Sequence, residues 1–348
     1  MVVTSAVSIR LLVSRTLNQL RCWISYALSL FGVVRVRHLP TFVSVEPANY
    51  CQLRCPECPV GMWNKEQGTK SKDSSVSTHL GSTSRLMSLE VFGRTLQQVQ
   101  ANAHTMQFYF QGEPLLNKQL PEMIAAAHQV GLYTIVSTNA QALNHSMAEA
   151  LIKSGLSRII VSIDGFSEES YAAYRIGGSL HKALEGLQHL ANAKAEYRSR
   201  IRIELQVLRL KSNEQEWDWI KRNYKKLGAT HLVFKTAQLY DFEHGHPLMP
   251  THERYSRYKR IADGTYVHKK SSNNLFALQP CLRLWSGCVI TTKGDVLPCC
   301  YDKEHQHTLG NITTQDLTTI FLSKKASSLR QHILRAHHHF SMCKNCYR

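Results

Sequence analysis

Thr41-Phe-Val-Ser-Val-Glu46 runs, after four residues, into Cys51-Gln-Leu-Arg-Cys55-Pro-Glu-Cys58. The first stretch reads as a buried strand: β-branched and aromatic residues with no helix-forming period. The second places three thiols in a short loop at the strand's carboxyl end. Three thiolates hold three irons of a cubane and leave the fourth iron open to a substrate. A closed zinc site would need a fourth ligand, and no Cys or His follows Cys58 until His79.

Strand-like runs recur at Met106 to Phe110, Tyr133 to Thr138, Arg158 to Ile163, Ile201 to Val207 and His231 to Thr236. Helical stretches separate them. Leu180, Leu184, Leu187 and Leu190 recur at three and four residues behind a Ser179 cap, and Pro121 opens a helix that Gly131 stops. Six strand-helix units in series imply a parallel sheet with right-handed crossovers, and six suit a partial barrel better than a closed eightfold one. The fold expected is therefore α/β, a partial (β/α)6 TIM-type barrel. Residues 1–39 read as a basic amphipathic segment, 40–250 as the barrel, and 251–348 as a linker helix with a small C-terminal extension.

The chain has 348 residues, ten cysteines and a formal charge of +17. Seven cysteines cluster in the loop, the Cys299-Cys300 pair and Cys343-Lys-Asn-Cys346, which is metal-site spacing rather than a secreted disulfide framework. With no secretory signal read, the expected compartment is the reducing cytoplasm. Loaded with two cubanes the protein stays basic, at about +14. That excess would steer an acidic peptide, nucleotide, RNA or anionic lipid without choosing among them. Arg10, Arg15, Arg21, Arg35 and Arg37 precede the first acid, Glu46, and the longest uncharged stretch, Cys22 to Val34, falls short of the roughly 20 residues of a spanning helix. Packing on the barrel, a transit peptide and peripheral contact with an anionic membrane all remain open for it.

The spacing C-x3-C-x2-C resembles the cluster motif of the radical S-adenosylmethionine (SAM) enzymes. Phe110-Gln111-Gly112-Glu113-Pro114, after the second strand, resembles the segment that in those proteins grips the amino group of SAM's methionine. A glycine lets backbone approach and a carboxylate can accept from an ammonium, although an ordinary turn has the same composition. The resemblance further implies that Ser162 and Arg175 reach the ribose and carboxylate of SAM, with Asn139 and Asp164 close by. As plain chemistry, Asn139 could instead turn the chain and Asp164 could cap the next helix. Lys235 and Gln238, after the sixth strand, read as substrate contacts.

Two departures stand out. Glu57 occupies the position before the third cysteine that is usually aromatic, and Leu205 to Glu214 lacks the usual Gly-x-Ile-x-Gly-x-x-Glu pattern, so adenine must be held otherwise. Asn64 to Arg85 is a polar insert that reads as a disordered surface loop or a lid.

Pro280-Cys281, Lys293-Gly294-Asp295, Pro298-Cys299-Cys300-Tyr301-Asp302 and the terminal cysteines resemble the SPASM or shorter twitch extension, which holds an auxiliary 4Fe-4S cluster. The implied ligands are Cys281, one of Cys299 and Cys300, Cys343 and Cys346. Cys288 could replace one, Cys22 reads as a small buried hydrophobe, and four thiolates would also suit structural zinc. Asp302 or Tyr301 could accept a proton. The resemblance implies a 4Fe-4S cluster, SAM and an electron donor such as flavodoxin or ferredoxin. It also implies cleavage of SAM to a 5′-deoxyadenosyl radical that takes hydrogen from a substrate. Oxidative modification of a peptide or protein is expected first. Dehydrogenation of a small alcohol or sugar, RNA modification and a non-catalytic zinc scaffold are the alternatives.

Overall fold

The computed structural model describes residues 9–68, 85–269, 281–344 and 346. Six parallel strands form its centre: β1 (Phe42–Val45), β2 (Thr105–Phe108), β3 (Tyr133–Thr138), β4 (Arg158–Ser162), β5 (Arg202–Arg209) and β6 (His231–Thr236). They lie side by side in chain order, with Phe42 opposite Thr105 at one end of the series and Glu204 opposite His231 at the other. The sheet is open, with β6 at one edge, so the partial barrel read from the sequence is the observed architecture.

Local signals set the helices. Ser179 Oγ accepts from Lys182 N at 3.3 Å and starts helix Leu180–Glu196, which buries Leu180, Ala183, Leu187 and Leu190 against the sheet. Asn144 Oδ1 does the same for His145–Lys153. Pro121 sits in the first turn of Leu120–Gln129, and Gly131, at φ +72°, takes the chain out of it. These faces meet Val43, Phe108, Val136, Ile159 and Leu205 in one continuous core, where truncating a leucine costs about 2–5 kcal/mol.

Among the described residues after 250, a single 3-10 turn, Glu253–Tyr255, precedes β7 (Tyr258–Arg260) and β8 (Tyr266–His268), which make an antiparallel hairpin around Gly264, at φ +88°. Asp263 takes the N–H and hydroxyl of Thr265 in that turn, and Tyr258 stacks on Phe242 at 4.2 Å. The later strands join the central sheet. β9 (Gly287–Ile290) pairs in parallel with β1, and β10 (Asp295–Leu297) and β11 (Gly310–Asn311) follow antiparallel, giving nine strands in one sheet. Cys288 lies opposite Val43 inside this sheet, where burial pushes its thiol up to about 12; it is a core residue, not a spare ligand.

The polar insert is helical in its first part, since helix Pro59–Gly68 continues past Asn64; residues 69–84, like Pro280, lie outside the described residues. The N-terminal helix, Ile9–Leu30, packs on the body, with Cys22 fully buried and Tyr26 edge-on to Trp285 at 6.3 Å.

Candidate active site

Residues following the strands' carboxyl ends converge on one cavity of about 530 Å³. Cys51, Cys55 and Cys58 line it together, joined by Gly112, Glu113, Asn139, Ser162 and Arg175. The cysteine loop is held from several sides. Asn64 Nδ2 donates to Cys51 O and Leu53 O at 2.8 and 2.9 Å, and Arg54 N donates to Ile176 O at 2.9 Å. Gly61 lets the following helix close on the loop, because a Cβ there would stand 2.3 Å from Cys55 O.

Sulfur atoms in this loop already receive donors. Asn139 Nδ2 and Leu53 N donate to Cys51 Sγ at 3.3 and 3.4 Å, and Arg175 Nη1 approaches Cys55 Sγ at 3.9 Å. Burial pushes Cys51 up to about 12 and Cys55 up to about 11, so a bound cation is what would keep them as thiolates. Three thiols on one cavity wall, two of them facing N–H groups, form a donor set that fits a cubane with one free iron corner.

Arg175 is fixed by Asp164, with Nη2 to Oδ2 at 2.6 Å. Burial pulls the guanidinium down, but Asp164 and then Cys55 more than offset it and leave its pKa raised. Asp164 itself caps no helix and does not line the cavity. Its Oδ1 accepts from Leu208 N at 2.6 Å, and Ser167 caps the helix that follows. It holds Arg175 from behind the cavity wall.

Glu113 borders the cavity, but its carboxylate is committed inward. Oε1 accepts from Thr138 Oγ1 at 2.7 Å and Leu115 N at 3.1 Å, and Oε2 from Asn139 N at 2.8 Å. Burial raises its pKa against the pull of those donors. Three donors thus hold the carboxylate in place, and Oε2, with a single donor, keeps acceptor capacity. Gly112 shapes the backbone just before Glu113, at φ +66°, with a would-be Cβ only 2.4 Å from Ala48 O. Asn139 turns the chain, with Oδ1 accepting from Gln141 N, and its Nδ2 donates to Cys51 Sγ on the cavity wall.

Later segments complete the walls. Lys235, Thr236 and Gln238 line the cavity, as do Tyr240, Arg257, Tyr301 and Lys303. Sequence reasoning missed Tyr240, Arg257 and Lys303. Only the nearness of Lys303 to Cys300 could have signalled one of them. Lys303 Nζ donates to Phe110 O at 3.1 Å and its carbonyl accepts from Gln111 Nε2 at 2.9 Å, which ties the extension to the Gly112 segment. Burial lowers its pKa. Glu57, in the aromatic's place, accepts from Tyr240 N at 2.7 Å and meets His246 Nε2 at 3.2 Å, so it holds the segment after β6 over the cluster loop.

Among the auxiliary cysteines, Cys281, Cys299 and Cys343 pack into one cluster with Trp285 and Met342. Cys300 Sγ accepts from Arg283 Nη1 at 2.8 Å. The hydrogen bond from Cys299, aided by Arg283 and opposed by burial, pulls Cys300 down to about 6, while Cys299 is pushed up. Tyr301 reaches the cavity; Asp302 does not. Both carboxylate oxygens of Asp302 are taken by Gln306 N and His307 N at 2.9 and 3.0 Å, which makes it a turn residue.

Comparison with known proteins agrees with this arrangement. Residues 45–202 match the model of the radical SAM superfamily, and residues 281–347 match SPASM, an iron-sulfur cluster-binding domain. The chain is 37% identical over 78 residues to Fe-coproporphyrin III synthase of Methanosarcina barkeri, 22% of this chain and 20% of that one. It is 24% identical over 276 residues to PqqA peptide cyclase of Granulibacter bethesdensis, 75% of this chain and 67% of that one. The match thus spans a fifth of the first relative's length. Streptococcus suis SuiB shares the fold, with a TM-score of 0.60 at 12% identity, over 84% of this chain and 68% of that one.

Proposed function

We propose, for a chain that belongs to the radical SAM superfamily and carries a SPASM cluster-binding domain, that its reaction is the oxidative modification of a peptide or protein. The radical SAM domain binds a 4Fe-4S cluster and SAM, and the SPASM domain binds auxiliary iron-sulfur clusters. Cys51, Cys55 and Cys58 would hold the first cluster. Cys281, Cys299, Cys343 and Cys346 would hold an auxiliary one, with Cys300 turned toward Arg283. When bound, the first cluster would supply the electron for reductive cleavage of SAM, and the auxiliary cluster would offer an acceptor for the electron the substrate leaves behind.

The chain's own residues do the rest. Asp164 aims Arg175 at the cavity as a fixed cation for the carboxylate of SAM. The Gly112 backbone and Asn139 form the opposite edge, and Ser162 offers a hydroxyl between them. Glu57, Tyr240 and Lys303 draw the later segments over the opening and reduce the water that reaches it.

One observation carries the oxidative part: a single cavity is lined by the three-cysteine loop and by Tyr301 and Lys303, one and three residues after Cys300. The peptide part is supported by the longest of the reported alignments, that with a peptide cyclase, and by Lys235, Arg257 and Lys303, which suit an acidic or extended polar chain.

The test is anaerobic incubation with SAM and a reductant, scoring 5′-deoxyadenosine by mass in the wild type and in Cys55→Ala. Equal amounts would end the radical reading. Deuterium moving from labelled peptides into 5′-deoxyadenosine supports the substrate class, and transfer only from labelled sugars or RNA refutes it.

A further inference from the structure

Of eighteen exposed large apolar side chains among the described residues, ten fall between Ile9 and Val33. The N-terminal helix is mounted with its polar side inward. Arg15, Asn18, Cys22, Ser25 and Ser29 are buried, at spacings of three and four residues. Ile9, Leu12, Leu17, Leu20, Ile24 and Phe31 stand outward, Ile9 80% and Phe31 78% exposed. A helix of a soluble protein ordinarily turns its apolar stripe to the core.

Hydrogen bonds fix this orientation. Arg15 donates to Gln100 O, Val130 O and Gly131 O at 2.6–2.9 Å. Asn18 Nδ2 donates to Leu39 O and Asn102 O, and its Oδ1 accepts from Leu39 N. Those groups lie in the segments leading into β1, β2 and β3, so the helix is bolted to the amino-terminal floor of the barrel, opposite the cavity. Rotating it by half a turn would strand these carbonyls and put Arg15 in solvent.

The outward stripe is several hundred Å² of apolar surface, more than a soluble monomer ordinarily leaves bare. Its surroundings select the occupant. No acid occurs before Glu46, and Arg10, Arg21, Arg35 and Arg37 are exposed. At 3.6 residues per turn, Arg10 and Arg21 share one border of the stripe. A second copy laid on this face would bring arginines against arginines with no carboxylate from the segment between them. An anionic lipid headgroup layer matches both the stripe and its border. No helix among the described residues is long and apolar enough to cross a membrane, so the helix would lie along the surface.

We propose that the N-terminal helix is a surface anchor, which lays its outward apolar stripe into the interface of an anionic lipid bilayer and holds the barrel by its floor. The cavity mouth then faces away from the lipid, open to a substrate in water. This proposal is independent of the reaction assigned to the cavity.

Flotation of the full, cluster-loaded chain with vesicles tests it. The chain should rise with vesicles of equal parts phosphatidylglycerol and phosphatidylcholine, far less with phosphatidylcholine alone, and salt should weaken the binding. Arg10→Gln and Arg21→Gln should each weaken it about fivefold. Leu17→Asp with Leu20→Asp should abolish it while circular dichroism and 5′-deoxyadenosine formation stay at wild-type level, because both leucines point outward. Failure to float with the anionic vesicles overturns the proposal, as does equal binding to both compositions. So does a wild-type dimer in sedimentation equilibrium that the leucine variant converts to monomer, since a second copy would then cover the face.

Discussion

Asp164→Asn isolates how the cavity is held in shape. Asn retains an oxygen for Leu208 N but removes the partner of Arg175 across 2.6 Å. The Asp164 side chain is 1% exposed and that of Arg175 15%, so water cannot replace the lost carboxylate. Orphaning one member of a buried pair costs about 3–5 kcal/mol, and the lower end applies because Arg175 keeps a cavity-facing edge and a Cys55 sulfur at 3.9 Å. In the cluster-free protein burial keeps Cys55 protonated and the sulfur offers little, so about 3 kcal/mol should be lost. A loaded cluster puts negative charge beside Arg175, and the loss should shrink. The assay is anaerobic urea unfolding followed by tryptophan fluorescence, with and without cluster, together with calorimetric titration of SAM. SAM affinity should fall about tenfold, or about 1.4 kcal/mol, through misaiming of the guanidinium. Adding Arg175→Met to Asp164→Asn should restore most of the stability and none of the SAM affinity. A loss under about 1 kcal/mol without cluster, or a double variant no more stable than the single one, would refute the assignment of Asp164 as the support of Arg175.

Glu46 is 1% exposed, and burial pushes its carboxyl from 4.5 up to about 8. A folded-state pKa above the unfolded one means that its favourable contribution is complete below 4.5 and lost as pH rises toward 8; Glu46→Gln should therefore match wild type near pH 4.5 and be more stable by about 3 kcal/mol at pH 7, and a flat difference in urea midpoint across that range would count against it. Gly112→Ala forces a Cβ to within 2.4 Å of Ala48 O at φ +66°, so SAM binding should weaken by at least about tenfold while iron content is kept; unchanged calorimetric affinity would show that this segment does not border SAM. Glu57→Ala frees Tyr240 N and His246 together, and protease cleavage between residues 236 and 246 should accelerate, whereas Glu57→Gln, which still accepts from Tyr240 N, should cleave near the wild-type rate.

Local chemistry was legible. The six strands, the Ser179 cap and the Gly131 stop are written in neighbouring residues, and each lies where the pattern put it. Contacts between distant residues were not. The β9 pairing with β1 joins Gly287 to Phe42, and no short-range period marks a strand for an edge it meets so late in the chain. The linker helix expected somewhere after residue 251 has no such local mark, whereas Asp263-Gly264-Thr265 is a turn signal that the β7–β8 hairpin uses. The N-terminal helix shows a different limit. Periodicity reveals that a helix has two faces but not which one docks, and here Arg15 and Asn18 decide it by satisfying carbonyls on segments up to 116 residues away. At the site, the cysteines and Gly112 were readable by spacing and resemblance. The inward turn of Glu113 and the supporting place of Asp164 depend on Thr138, Leu208 and Arg175, which only the folded chain brings together.

The way the matched segments divide the cavity bears on where specificity resides. The residues proposed to hold clusters and SAM lie within 45–202 and 281–347, the two stretches that match domain models. Gln206, Leu208, Lys235, Thr236, Gln238, Tyr240 and Arg257 line the same cavity from the stretch between them. This stretch lines the cavity and matches neither domain model, so the wall that selects the substrate is expected in it. That wall does not stand alone. Tyr240 N hangs on Glu57, inside the cysteine loop, and on the far side Lys303 bonds Phe110 O. A substrate that orders the Tyr240 segment should therefore act on the cluster loop through Glu57. Exchanging Lys235 and Gln238 should change which substrate is used and leave SAM affinity alone, whereas changing Glu57 should disturb both.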